Sequence, residues 1–308
     1  WAETACALAT AAIDGSEDPN TAPITVAVLD MQPIDPPTGG GRLRLLGLYH
    51  GLGSRISANY VGTYDWPGEK YRAHALTPTL FETDIPLSED HHTAAARLAS
   101  QANGKNVIDL AFSRQAYLSP EYVAAVRKDA DAAHIVVFSH PWIYPLVKDQ
   151  LRPNQVVIYE SHNVEGFLRA QLLSDSNSTE REILEGVIKD ELECGRRANW
   201  ILTCSHEDLL RFNRLYGFSP QKMRVVPNGV MAFANPMANE ASRLKAREVL
   251  GISKDDFSGI FIGSPYGPNI DAAQFINKSL SPACPDTTFV IAGCVGAQMT
   301  SAGSNVMM

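Results

Sequence analysis

Short apolar runs alternate with amphipathic stretches along most of the chain. The runs are Ile24–Leu29, Arg55–Tyr60, Ile135–Phe138, Val156–Tyr159, Trp200–Thr203 and Met223–Val226. Most are continuously apolar instead of alternating, which is the pattern of strands buried on both faces. The prediction is an α/β fold: a Rossmann-like parallel sheet with helices on both faces. Between the runs, helical spacing is legible. After Gly39, Gly40 and Gly41, residues Leu45, Leu48, Tyr49 and Leu52 stand at i, i+3, i+4 and i+7, with Arg42 and Arg44 off that stripe. Residues 180–198 place Leu184, Ile188, Leu192 and Gly195 on one face among Glu, Lys and Arg. Ser205, with Asp208 three residues on, predicts a capped helix start that closes at Tyr216–Gly217.

The same pattern divides the chain. Residues 1–22 read as a poorly fixed lead-in, residues 23–230 as the first domain and residues 231–250 as a linker lacking clear periodicity. From 251 to 308 a second α/β unit begins, with strands Gly259–Ile262 and Thr288–Ala292 around a turn and a helix. That is about one β-α-β crossover, so the second domain reads as incomplete.

Composition narrows the partners. A length of 308 residues suits about two domains, and the net charge of −8 comes with scattered Lys and Arg, which argues against nucleic acid. No apolar stretch approaches the roughly 18 residues of a membrane span, and no signal-peptide pattern opens the chain. The expectation is a cytoplasmic protein, with peripheral contact at the inner face of a membrane left open. The start at Trp1 leaves room for a preceding segment. Five cysteines without C-x-x-C spacing suggest a reducing compartment and buried free thiols.

Chemistry is expected at the carboxyl ends of the strands, where ligands bind in open α/β sheets. Gly39, Gly40 and Gly41 present backbone N–H groups at a helix start, suited to a phosphate, or form a plain turn. His140 follows the run ending at Phe138 and either hydrogen-bonds a sugar hydroxyl, shuttles a proton or serves structure. His162, Asn163 and Glu165 follow Val156–Tyr159 and either bind hydroxyls or cap the next helix. His91 and His92 lie in an acidic stretch expected to be exposed. No grouping has metal-site spacing, and no nucleophile elbow occurs.

Three segments in order, Tyr159–Glu165 (YESHNVE), Ala198–Ser205 (ANWILTCS) and Arg224–Val230 (RVVPNGV), resemble the family 4 glycosyltransferases. Phe261–Ser264 with Pro268–Ala273 is similar to the opening of their second domain. The resemblance implies a GT-B fold, two Rossmann-like domains facing across a cleft, and retaining transfer from a nucleotide-sugar donor to a carbohydrate, lipid-linked or small-molecule hydroxyl acceptor. It implies no bound metal and no cofactor beyond the donor as co-substrate. By position, Gly39–Gly41 match the loop touching donor phosphate and acceptor, His140 the histidine near the transferred sugar, and Asn228 and Gly229 residues at the cleft. Ser264 stands in the first loop of the second domain, where many relatives carry an Arg and a downstream Lys. The paired glutamates of the family would fall beyond Met308, leaving open whether this chain acts alone. A non-catalytic carbohydrate- or partner-binding fragment and a sugar-nucleotide epimerase are the rival readings.

Overall fold

A computed structural model of the chain describes residues 23–230 and 237–308. The lead-in of residues 1–22 and the first part of the segment read as linker, residues 231–236, lie outside the described residues. The chain forms two compact units, one ending at Val230 and the other beginning at Met231.

The first unit is built on an eight-stranded sheet. Its strands are β1 (Ile24–Leu29), β2 (Ile56–Gly62), β3 (Arg72–Thr77), β4 (Leu80–Asp84), β5 (Ile135–Phe138), β6 (Val156–Glu160), β7 (Trp200–Thr203) and β8 (Met223–Val225). The order is β3-β4-β2-β1-β5-β6-β7-β8, parallel throughout except where β3 pairs antiparallel with β4. Its longer helices are α1 (Gly40–Tyr49), α2 (Glu89–Gln101), α3 (Pro120–Ala132), α4 (Glu165–Leu172), α5 (Ser178–Arg197) and α6 (His206–Tyr216).

Continuous apolarity in the strands has the expected cause. Ala27 and Leu29 of β1, with Val136 and Phe138 of β5, join a core with residues of α3, α5 and α6. Val26 and Val28, with Ile135 and Val137, join a second core under Leu45, Leu48 and Tyr49 of α1. Successive side chains point to opposite faces, and both faces are covered by helices.

No continuous apolar run predicts the β3–β4 hairpin. Its first strand, Arg-Ala-His-Ala-Leu-Thr, is only half-buried or exposed, as befits a sheet edge. The inner face of α5 also differs from expectation. Ile183, Val187, Glu191 and Cys194 are buried while Ile188 is 38% exposed, because three acidic side chains of this helix, Glu180, Asp190 and Glu191, turn inward to hydrogen-bond partners. The predicted cap of α6 is present: Ser205 Oγ accepts from Asp208 N at 3.1 Å, and Gly217 closes the helix in the left-handed region.

In the second unit, β9 (Phe257–Ile262), β10 (Thr287–Ala292) and β11 (Val306–Met307) form a parallel sheet in the order β11-β10-β9. Helices α7 (Glu240–Leu250) and α8 (Gly267–Phe275) belong to this unit. Helix α7 occupies residues read as linker; Asn239 caps it by accepting from Ser242 N, and Gly251 ends it in the left-handed region. Of the four described thiols, all free, Cys194 is buried but Cys294 is exposed, which corrects the expectation for the latter. Among the described residues no helix is long and apolar enough to cross a membrane.

Candidate active site

After β1 the chain builds β2, β3 and β4 to one side, then returns to lay β5 on the other side of β1. The direction of winding thus switches between β1 and β5, and in open α/β sheets ligands bind at the carboxyl ends of the strands beside such a switch point. Leu29 pairs with Phe138 in register, so Asp30 and His140 emerge beside each other just past the strand ends. His140 Nδ1 donates to Asp30 Oδ1 at 2.6 Å. Asp30 also accepts from Met31 N and the Tyr60 hydroxyl.

This pair is charged. Burial disfavours the imidazolium, but the Asp30 carboxylate and its hydrogen bond outweigh burial and raise His140 to about 9. Burial likewise opposes ionisation of Asp30, and His140 more than offsets it, leaving the carboxyl below its ordinary range. Locked through Nδ1, the ring stacks on Trp142 at a centroid distance of 4.6 Å. Its Nε2 has no hydrogen-bond partner among the described residues. At neutral pH His140 is thus a fixed hydrogen-bond donor, with no lone pair left to act as a base.

A second cluster of polar side chains stands one strand over. The His162 ring lies 4.7 Å from that of His140, and His162 Nε2 is 3.2 Å from Glu160 Oε2. On its other oxygen Glu160 accepts from Arg44 Nε at 2.6 Å. Burial would raise the Glu160 carboxyl, yet His162 and Arg44 hold it below its usual value. Arg44 lies off the apolar stripe of α1, yet it is not turned to solvent. It is 5% exposed and runs under the site, donating from Nη1 to Val226 O and Asn228 Oδ1, each at 2.8 Å. The Arg44 guanidinium therefore connects α1, the end of β6 and the segment after β8.

Asn163 and Glu165 form a third element. Asn163 Nδ2 donates to Glu165 Oε1 at 3.1 Å, and Arg169 Nε donates to Glu165 Oε2 at 2.9 Å. Arg169 in turn lies over the Trp142 ring. The start of α4 is fixed by Glu191 of α5, which accepts from the N–H groups of Glu165 and Gly166 and from the hydroxyls of Tyr159 and Tyr216. Burial pushes Glu191 up to about 7 despite these four donors. Gly166 is needed there, since a Cβ would stand 2.2 Å from the Tyr216 hydroxyl.

Gly39 caps α1 at φ 98°, in the left-handed region that favours glycine. Neither Gly39 nor Gly40 would bring a Cβ near any atom, so this helix start is open to an approaching group. Gly41 faces Gln32. Gly229 is exposed beside Asn228. Ser264 belongs to the second unit, where it accepts from Asn269 Nδ2 through its carbonyl and hydroxyl oxygens. His140, His162, Glu160, Arg44 and Asn228 are thus linked in one assembly.

Asp30, Arg44, Glu160 and Trp142 were not singled out as site residues from the sequence. Asp30 had a readable signal, the first polar residue after an apolar strand, and so did Glu160. His91, expected to be exposed, is fully buried: its ring stacks on Phe112, its Nδ1 meets Ser119 Oγ at 3.1 Å, and burial lowers it to about 4.

No protein-family model matches the chain, and no curated protein does. Solved structures do. HepE (Alr3699) of Anabaena, in complex with UDP-glucose, is similar at a TM-score of 0.55 and 15% identity, over 92% of this chain and 68% of that one. The UDP-forming alpha,alpha-trehalose-phosphate synthase of Burkholderia xenovorans, in complex with glucose-6-phosphate, is similar at 0.53 and 10%, over 92% of this chain and 73% of that one. The fold is Rossmann-like, as in the GT-B glycosyltransferases. At such low identity the likeness speaks for fold alone.

Proposed function

We propose that the chain serves a retaining glycosyltransferase that moves a sugar from a nucleotide-sugar donor to a hydroxyl acceptor. The observation that carries this reading is the convergence of Asp30, His140, His162, Glu160, Arg44 and Asn228 at the switch point of the first sheet. Similar folds that hold UDP-glucose or glucose-6-phosphate support it.

In this reading the donor's anomeric carbon–oxygen bond breaks and its electron pair leaves on the phosphate. The acceptor oxygen forms the new bond on the same face and yields its proton to that phosphate oxygen. His140, already protonated, donates from Nε2 to a hydroxyl of the transferred sugar and holds it against the crevice floor. His162, Asn163 and Glu165 supply further polar contacts. The N–H groups at Gly39–Gly41 suit the negative charge that grows on the leaving group, since preorganised donors stabilise charge developing in the transition state. Asn228 and Gly229 are assigned to the donor. The reaction as drawn uses no bound metal.

The test is a panel of UDP-, GDP- and ADP-sugars added to the protein while its melting temperature is followed, because a ligand of the folded form raises it. A rise with one donor, lost on Asp30→Asn or His140→Ala, supports the reading. No rise with any donor, in a protein that releases no nucleotide when acceptors are added, defeats it.

A further inference from the structure

A pocket of about 510 Å³ opens on the first unit beside the loop that leads into α1. Its volume falls within the range of about 300–1,000 Å³ usual for small-molecule sites. The aromatic side chains Tyr64, Trp66 and Tyr71 line it together with Arg42, Lys70 and Glu69. The 64% exposure of Tyr71 leaves much of its ring open to solvent.

The rings are held in place. Tyr64 and Trp66 meet edge to face at 5.3 Å; Trp66 Nε1 donates to Glu69 Oε1 at 2.7 Å, and the Arg42 guanidinium lies 5.1 Å over the Trp66 ring. Arg72, at the rim, is tied to Asp35 and Asp84. Arg42 and Lys70 make no ion pair with a described carboxylate. Flat aromatic faces match the C–H faces of a pyranose, and guanidinium, ammonium and carboxylate groups match its hydroxyls.

Position decides what such a sugar is for. Tyr64 and Trp66 follow the carboxyl end of β2, and Arg72 pairs with Asp84 at the carboxyl end of β4, so the pocket shares the edge of the sheet that carries His140. It is displaced sideways. Neighbouring strands lie about 4.8 Å apart, so two spacings from β5 to β2 and four from β5 to β3 set it about 10 to 19 Å from His140. A single ring seated at His140 does not reach that far.

We infer that this pocket holds a remote glycosyl unit of an extended acceptor, so that the transferase works on an oligosaccharide in preference to a monosaccharide. The inference rests on the transferase reading and deepens it. Glycans anchored at Trp66 and Tyr71 present their reactive end toward the crevice at Asp30 and His140.

A glycan array carrying mono- to tetrasaccharides of varied linkage, probed with the labelled chain, tests it. Oligosaccharides should be captured and monosaccharides should not, and Tyr71→Ala and Trp66→Ala should each reduce capture at least about tenfold. Tyr71 is exposed, so its replacement leaves folding intact if Trp66→Ala does not. Capture of no oligosaccharide, equal capture of monosaccharides, or capture unchanged in both variants overturns the inference. Nucleotide-sugar stabilisation, measured on the same variants, separates the two failures. Donor binding without glycan capture sinks only this pocket's role, whereas glycan capture without donor binding sinks the transferase reading.

Discussion

Arg44 Nε lies 2.6 Å from Glu160 Oε1, and both side chains are almost wholly removed from solvent. The helix after the Gly39–Gly41 loop is thereby bound to the end of β6. A buried ion pair is weak evidence of net stability, but breaking one side of it strands a charge and costs about 3–5 kcal/mol. Arg44→Met should therefore destabilise the first unit by about that amount. Arg44→Met combined with Glu160→Leu should recover much of the loss, since neither charge then remains. Urea unfolding of the parent and the two variants measures both effects. An Arg44→Met protein within about 1 kcal/mol of the parent would show that the pair is not structural.

The Asp30–His140 pair makes the site's pH response calculable in sign. The folded imidazole titrates near 9, above the ordinary value of about 6.5. Its contribution to stability is complete below that ordinary value and disappears as pH climbs through about 9. Donation from His140 Nε2 to a sugar should persist from neutral pH to the same limit. In Asp30→Asn the raising charge is gone, so the imidazole should titrate well below 9 and the alkaline limb of turnover should move down with it. NMR titration of the ring in both proteins checks this independently of activity, and an unmoved midpoint would refute it.

Much of this was legible because strand ends and parallel sheets obey simple rules. Val156–Tyr159 and Ile135–Phe138 read as buried strands from apolarity alone, and the residues behind them, His162 and His140, arrived where the reading placed them along the chain. Arg44 did not, because a one-dimensional stripe treats every arginine as outward-facing, whereas Glu160 and Asn228, 116 and 184 residues away, draw it inward. The same blindness displaced the inner face of α5. Glu191 is buried there by four donors from distant parts of the chain, which helical periodicity cannot see. Pairing across the Asp30–His140 gap depends on strand order, and no local pattern states that β5 returns beside β1.

Gly166 offers a sharper test of packing around the site. A Cβ at this position would stand 2.2 Å from the Tyr216 hydroxyl and 3.1 Å from Ile188 Cγ1. Overpacking of this kind costs about 1–3 kcal/mol. Gly166→Ala should fall in that range and should also loosen the start of α4, which carries Glu165. Tyr216→Phe removes the clashing oxygen at the expense of one hydrogen bond to Glu191. The double variant should consequently be more stable than the sum of the singles, a coupling that a double-mutant cycle reads directly. Strict additivity would place the clash elsewhere.

Glu82 is the counterpart of His140 on the acidic side. It is fully buried and accepts from the N–H groups of Ile34 and Asp35, fastening the loop that follows β1 to the β3–β4 hairpin. Burial, reinforced by the neighbouring Asp84 charge, raises its carboxyl from 4.5 to about 7. Between those values the folded chain keeps a proton that the unfolded chain has already released, so stability falls as pH rises through that window and levels off above it. At 1.36 kcal/mol per pKa unit the fall attributable to Glu82 is about 3 kcal/mol. Glu82→Gln keeps an acceptor for Ile34 and Asp35 but cannot ionise, so its stability should lose ground to the parent at low pH and gain on it toward pH 7. Glu191 drifts the same way in both proteins and cancels in the difference. Urea unfolding of parent and variant across the window measures that difference, and parallel curves would show that Glu82 does not hold its proton in the folded chain.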